Sequence, residues 1–328
     1  MNPTPLGATR GALRALVLVA CVPYLSLKTA WLAGSRIGIP DGSVLLEHRG
    51  VIAAANGLTL LMDACVVVLA LLLTQRWGLR FGAWPLAFPM WVATGLLAPV
   101  VAGFPAQLAA GFLGGGRGEP FLDGWVFGVV YSGFLVQGLA LGALFVLYAR
   151  DRWGHLWAGG ARVGGGTRIV AVTASVLLAG PVAAHLARLA GRLAADPASG
   201  RRTGGFPVLE SVQVLFAAAA VAGVLTLVLR RDRTAPVRLP LALAWVGSGA
   251  VACWGGWLTL TSLLPRDGVA QGATEPMTLA YAGEMIAGAL LACCVAAFLR
   301  RRAAEPAYEG RGSGAGGTSP AGTGVSRA

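Results

Sequence analysis

Eight apolar stretches divide the chain, each near the ~20 residues that cross ~30 Å of hydrocarbon at 1.5 Å per residue, and they leave few ways to fold. They lie near 12–33, 51–74, 83–104, 124–149, 169–190, 207–229, 239–263 and 277–299. Lipid offers the backbone no water to bond, so each stretch is expected to close its hydrogen bonds internally as an α-helix. The fold class that follows is all-α: a polytopic helical membrane protein with eight transmembrane helices. The third stretch is the least regular. Pro85, Pro89, Pro99 and Pro105 leave room there for a broken or re-entrant helix.

Composition points the same way. Charged residues make up 12% of the 328-residue chain and hydrophobic ones 56%, against roughly 25% and 45–50% in soluble domains. A water-soluble core of this size would lack the polar residues to cover its surface. The net charge of +12 does not mark a nucleic-acid binder, because the arginines cluster at the ends of apolar stretches and form no basic and aromatic face. Lys28 is the sole lysine. The arginine, glycine and alanine bias suggests a GC-rich bacterial genome.

Counting Lys and Arg in alternate connections, Lys28 aside, gives 17 on the side of the termini and 8 on the other. The positive-inside rule then places both termini in the cytoplasm of a bacterial cytoplasmic membrane. The connection from Arg188 to Arg202 dissents, with four arginines on the outer side. Trp31, Trp125 and Trp257 fall at outer helix ends and Trp77, Trp84, Trp153 and Trp157 at inner ones, as an interfacial belt requires. The first stretch follows Arg10 and Arg14 but is too long for a signal peptide and shows no cleavage site. The expected layout is a cytoplasmic N-terminus (1–11), a four-helix transmembrane half (12–152), a cytoplasmic linker (153–168) and a second four-helix half (169–302). The Gly/Ser/Pro-rich tail (303–328) is expected to be cytoplasmic and disordered.

The two halves resemble each other. From Tyr131 and from Tyr281 the fourth and eighth stretches align without a gap, matching Gly133 with Gly283, Gly138 with Gly288, and Arg150 and Arg152 with Arg300 and Arg302. The third stretch reads PLAFPMWVATGLLA from Pro85 and the seventh PLALAWVGSGAVA from Pro240, with one deletion. PYLSLKTAWLAG from Pro23 resembles PVAAHLARLAG from Pro181 more weakly and brings Lys28 close to His185. Four helices per half start both halves inside, so the expected 4+4 repeat is parallel, about an axis along the membrane normal. Gly138 and Gly142, and Gly288 and Ala292, form small-xxx-small faces for helix packing within the chain or in a homodimer.

An ionisable side chain at a helix centre costs ~2.5–3.5 kcal/mol on insertion scales, so each needs a reason. From the spans above, Lys28 and His185 lie roughly 8 Å below the outer helix ends, Glu284 roughly 11 Å and Asp63 roughly 18 Å. Asn56 and Gln213 stand at similar depth. The candidate intramembrane polar layer is thus Lys28, Asn56, Asp63, His185, Gln213 and Glu284. A Lys28–Glu284 pair would relieve both desolvation costs, although Lys28 can also reach the surface along its own stem. His185 is expected to be a neutral helix–helix contact rather than a proton relay. Glu210, about one turn in, is expected at the interface. Asp63 lies too deep to reach water alone, so it must be protonated, paired, or facing a wet cavity.

Several chemistries lack their residues. Cys21, Cys65, Cys253, Cys293 and Cys294 all fall in apolar stretches without metal-ligand spacing. His185 is the sole intramembrane histidine, so a bis-histidine haem is excluded, and no HExxH, GxSxG or P-loop occurs. No cofactor, metal or catalytic residue is assigned. An enzyme of lipid-borne substrates would draw on Glu119 or Asp123 in the third outer loop, where nothing has catalytic spacing. The expected partners are the lipid bilayer, a small solute or proton, and a second copy of the chain in a homodimer, with no nucleic acid. The leading functional expectation is a transporter or permease-like protein whose polar layer lines a pathway or handles protons. The alternative is a non-transporting membrane interaction or assembly protein whose buried charges serve packing.

Overall fold

The structure is a computed structural model and describes residues 5–40, 49–114, 122–157, 161, 163–193, 206–230, 236–263 and 274–312. Among these residues there are eight α-helices and no strand: α1 (Pro5–Leu32), α2 (Arg49–Thr74), α3 (Ala83–Gly114), α4 (Gly124–Trp153), α5 (Gly165–Leu193), α6 (Phe206–Leu229), α7 (Arg238–Ser262) and α8 (Glu275–Gly312). Short 3-10 turns follow α2 at Arg76–Arg80 and α4 at Gly154–Trp157. All eight α-helices are long and apolar enough to cross a membrane. Large apolar side chains such as Val19, Leu61, Phe88, Val176 and Leu279 stand exposed on their flanks, as lipid-facing positions should.

Helix ends depart from the expected boundaries. α1 begins at Pro5 and α8 runs on to Gly312, into the first residues of the tail expected from 303. Arg300–Arg302 and Ala303–Ala304 carry good helix propensity and extend the span without a break. Residues 313–328 lie outside the described residues.

The third stretch is one continuous helix despite Pro89, Pro99 and Pro105 within it. Proline removes a donor and loosens nearby carbonyls, and neighbours supply replacements. Trp254 Nε1 of α7 donates to Leu96 O at 3.0 Å, beside Pro99. Within α3 itself the Thr94 hydroxyl donates back to Met90 O and, at 3.3 Å, to Trp91 O, carbonyls that no proline frees. The Trp254 bond serves a carbonyl in the turn that Pro99 crowds, and α3 runs on where the sequence left a break open.

Two apolar cores form, one among α1–α4 and one among α5–α8. α1 packs on α2 and α4, and α5 correspondingly on α6 and α8. α7 carries small residues on several faces and is pressed between α6, α8 and α3. A Cβ on Gly223 would meet Ala244 N at 2.4 Å, one on Gly247 would meet Ala220 N at 2.4 Å, and one on Gly288 would meet Ala252 N at 2.5 Å. Backbones this close gain dispersion contacts that bulkier side chains would forbid.

The halves meet where α3 crosses α7, at the two segments whose sequences match. A Cβ on Gly95 would lie 2.4 Å from Gly249 O, and one on Gly249 would lie 3.2 Å from Gly95 Cα. Around this crossing the bonds are reciprocal. Trp91 Nε1 donates to Ser248 Oγ and Trp245 Nε1 donates to Thr94 Oγ1, both at 3.2 Å. Each hydroxyl in turn donates to the carbonyl of its own helix's tryptophan, at 3.3 Å in both cases.

Candidate functional site

The sequence places one histidine deep in an apolar helix, and the fold surrounds it with carboxylates. His185 is on α5, whose Pro181 precedes it by a turn. Its Nδ1 bonds Glu210 Oε2 of α6, and its Nε2 bonds Glu284 Oε1 of α8 at 2.7 Å. Arg188, one turn further along α5, donates from Nε to the other Glu210 oxygen at 2.8 Å. His185 is 2% exposed, Glu210 4% and Glu284 1%, whereas the Arg188 side chain keeps 31% of its surface. These three side chains are thus enclosed, and the cluster reaches outward through the arginine. Its position is toward the end of the bundle opposite the start of α1 and the end of α8.

Packing holds this geometry in place. Gly255 of α7 lies so near α8 that a Cβ there would sit 2.8 Å from Glu284 Cβ, which fixes the turn bearing the carboxylate. The Tyr281 ring, one turn before Glu284, stands 6.2 Å from the imidazole. Glu284 Oε2 is buried without a hydrogen-bond partner. Both imidazole nitrogens are occupied, on opposite edges of the ring, so the histidine bridges two carboxyl groups. Such an arrangement favours a proton over a metal ion, and no metal-binding group of three or more such side chains is found among the described residues.

Other members of the polar layer go elsewhere. Lys28 does not pair with Glu284. Its Nζ donates to Asn56 Oδ1 at 2.6 Å and lies 5.1 Å from the Tyr24 and Trp31 ring centres. Depth sets a common level for Lys28 and Glu284, but they belong to different halves, and each finds a partner on its own side. Asp63 accepts a hydrogen bond from Gln137 Nε2 of α4 at 3.0 Å. Gln213 is buried on α6, one turn beyond Glu210. Glu210, expected at the interface, is instead buried, because α6 turns that face toward α5 where His185 and Arg188 offer partners. Glu119 lies outside the described residues.

Of the packing glycines, Gly138 faces α3, where a Cβ would lie 2.6 Å from Val101 Cγ2, and Gly288 faces α7. Gly142 has open space, and Ala292 is half-buried. Gly142 lines a cavity of about 290 Å³ between the halves, bounded also by Met90, Thr94, Val101, Phe216 and Val246. Thr94 is the polar exception in an otherwise apolar lining, and no member of the ionisable clusters reaches it.

Two features escaped the sequence. Glu210 read as interfacial and Arg188 as part of the outer connection, and only the rotation of α5 and α6 joins them to His185. Gln137 carries no charge and so drew no attention, although it is fully buried. No protein-family model, curated protein or solved structure matches this chain, so its function has to be read from these groups themselves.

Proposed function

We propose that this multi-pass membrane protein is a permease-like carrier that handles protons, with Glu210, His185 and Glu284 as its proton relay. The observation behind this reading is His185 with a carboxyl group on each ring nitrogen. A neutral imidazole offers one donor and one acceptor, so two carboxyl partners require one further proton. It resides on the ring or on one of the carboxyls. Either way the cluster holds the same number of protons, and with Arg188 its formal charge sums to zero. A proton entering from one carboxyl at one nitrogen can leave from the other nitrogen to the second carboxyl. Nothing in that exchange changes the net charge of a buried site, where charge is most expensive.

In this reading the protein lies in a bacterial cytoplasmic membrane with its termini inside, following the arginine excess. The His185 cluster then faces the outer half of the membrane. The two halves derive from a parallel 4+4 duplication, supported by the reciprocal contacts where α3 crosses α7. A carrier would rock one half against the other about this crossing. The apolar cavity beside it suits a small solute with an apolar body.

The test is solute-dependent proton flux in proteoliposomes carrying an internal pH dye. Wild-type protein should acidify the lumen down a solute gradient, and E210Q together with E284Q should abolish that flux. Flux at the wild-type rate in the double substitution would sink the relay. A second reading, a non-transporting assembly protein, is favoured by one observation: the polar clusters are separate and none opens into the cavity. Absence of flux with any solute, together with a partner that co-purifies at fixed stoichiometry, would support it.

A further inference from the structure

The first half contains a second polar group that the His185 cluster does not touch. Cys21 of α1, Asp63 of α2 and Gln137 of α4 meet in its interior, with Asp63 4% exposed and Gln137 at 0%. Gln137 Nε2 donates to Asp63 Oδ1 at 3.0 Å and to Cys21 Sγ at 3.3 Å, and the Cys21 thiol also stands within hydrogen-bonding reach of the Asp63 carboxyl. One oxygen of each partner is left over: Asp63 Oδ2 and Gln137 Oε1 are both buried without a hydrogen-bond partner. None of the ion pairs among the described residues involves Asp63. A buried acceptor left unsatisfied costs about 1–3 kcal/mol, more when charged, and here two adjacent groups each carry one.

A single proton resolves both. On Oδ2 it makes a carboxylic acid that donates to Gln137 Oε1, while Oδ1 accepts from Gln137 Nε2. Acid and primary amide then close a ring of paired hydrogen bonds with nothing left over. The terminal torsions of Asp and Gln are broad, so the two planes can align at little cost. Reversing the amide does not remove the need, since it would set Gln137 Oε1 against Asp63 Oδ1 and require a proton between them. We propose that Asp63 and Gln137 form a proton-binding site near mid-membrane in the first half, with the proton shared in an acid–amide pair. The site stands on its own geometry and does not depend on the role given to His185. Losing the proton would leave a bare carboxylate among apolar helices, so loading and unloading must be coupled to movement of α2 against α4 or to water entry.

Infrared difference spectroscopy on the full chain in nanodiscs tests this. At neutral pH the wild type should show the carbonyl stretch of a hydrogen-bonded, protonated carboxyl that shifts in heavy water. Asp63→Asn should remove that band and keep Tm within a few degrees, because the Asn amide can donate to Gln137 Oε1 and accept from Nε2. The band should survive in the E210Q/E284Q protein, separating this site from the relay. If Asp63→Asn does not fold, Gln137→Leu serves in its place: the acid remains and its carbonyl band must move up to the position of an unbonded acid. Only carboxylate bands in the Asp63-dependent spectrum, or an unmoved band in Gln137→Leu, would overturn the proposal. So would a rise in Tm with sodium chloride that potassium chloride does not reproduce, since that would put a sodium ion between the two oxygens.

Discussion

His185 is the side chain whose removal should damage the fold most. It separates two buried carboxyl groups and bonds both, so His185→Ala leaves them facing an empty space with Arg188 attached to only one. Deleting one partner of a buried ionic network costs roughly 3–5 kcal/mol. Lys28→Ala should cost far less, about 1 kcal/mol, because Lys28 is half-buried and held by a neutral acceptor and two ring faces. Thermal unfolding of the two variants in detergent gives the order, and equal losses would contradict it. At this scale the sequence was informative where charge and depth coincide. His185, Glu284 and Asp63 stand out because an ionisable residue inside an apolar run needs a proton, a partner or a wet cavity. Glu210 does not, because one turn from a helix end the same residue suits water or a buried partner. The uniformly apolar α6 carries no stripe that would fix its rotation, and the Lys28–Glu284 pairing failed for the same reason: a shared level says nothing about direction around the bundle.

Helices were legible as elements because length and hydropathy are local properties, while their contacts depend on which face meets a neighbour. The small-xxx-small motif shows the difference. Gly138, Gly142 and Gly288 look alike in sequence, yet a Cβ on Gly288 would strike Ala252 N at 2.5 Å and one on Gly142 would meet nothing within 4 Å. Gly288→Val should therefore force α7 and α8 apart and cost about 1–3 kcal/mol. Gly142→Ala should be neutral or stabilise by up to ~1 kcal/mol, since alanine is the better helix former and space is free. Urea or thermal denaturation of both variants checks this, and a loss at Gly142 matching that at Gly288 would mean the cavity is closed in solution. α3 teaches a related lesson. Its prolines were visible, but Trp254 of another helix, which donates to Leu96 O near Pro99, is 158 residues away in sequence.

For the whole molecule, the question is whether the crossing of α3 and α7 is an axis or an accident. Two segments that match in sequence need not touch, and two that touch need not do so through matching residues. Here Trp91, Thr94 and Gly95 meet Trp245, Ser248 and Gly249, and the two indole-to-hydroxyl bonds are counterparts of each other, while the Trp254 bond to Leu96 O has none. That reciprocity is what an isologous interface produces when two copies share a two-fold, and a duplicated chain would retain it. The surroundings have diverged: Trp245 stacks on Phe145 at 5.4 Å, while Trp91 lies 6.0 Å from Phe88 of its own helix. Substituting the tryptophans would mix those differences in, so the hydroxyls are the cleaner probe. Thr94→Ala and Ser248→Ala each leave one half-buried indole N–H without its protein partner and should each cost about 0.5–1.5 kcal/mol, by similar amounts. Exchanging the two side chains, Thr94→Ser with Ser248→Thr, should restore both bonds and leave Tm close to the wild type. A duplication that preserved the axis predicts both results in thermal unfolding. A swap as damaging as the alanine pair would mean that the two positions are not equivalent, and that the halves meet here by independent packing.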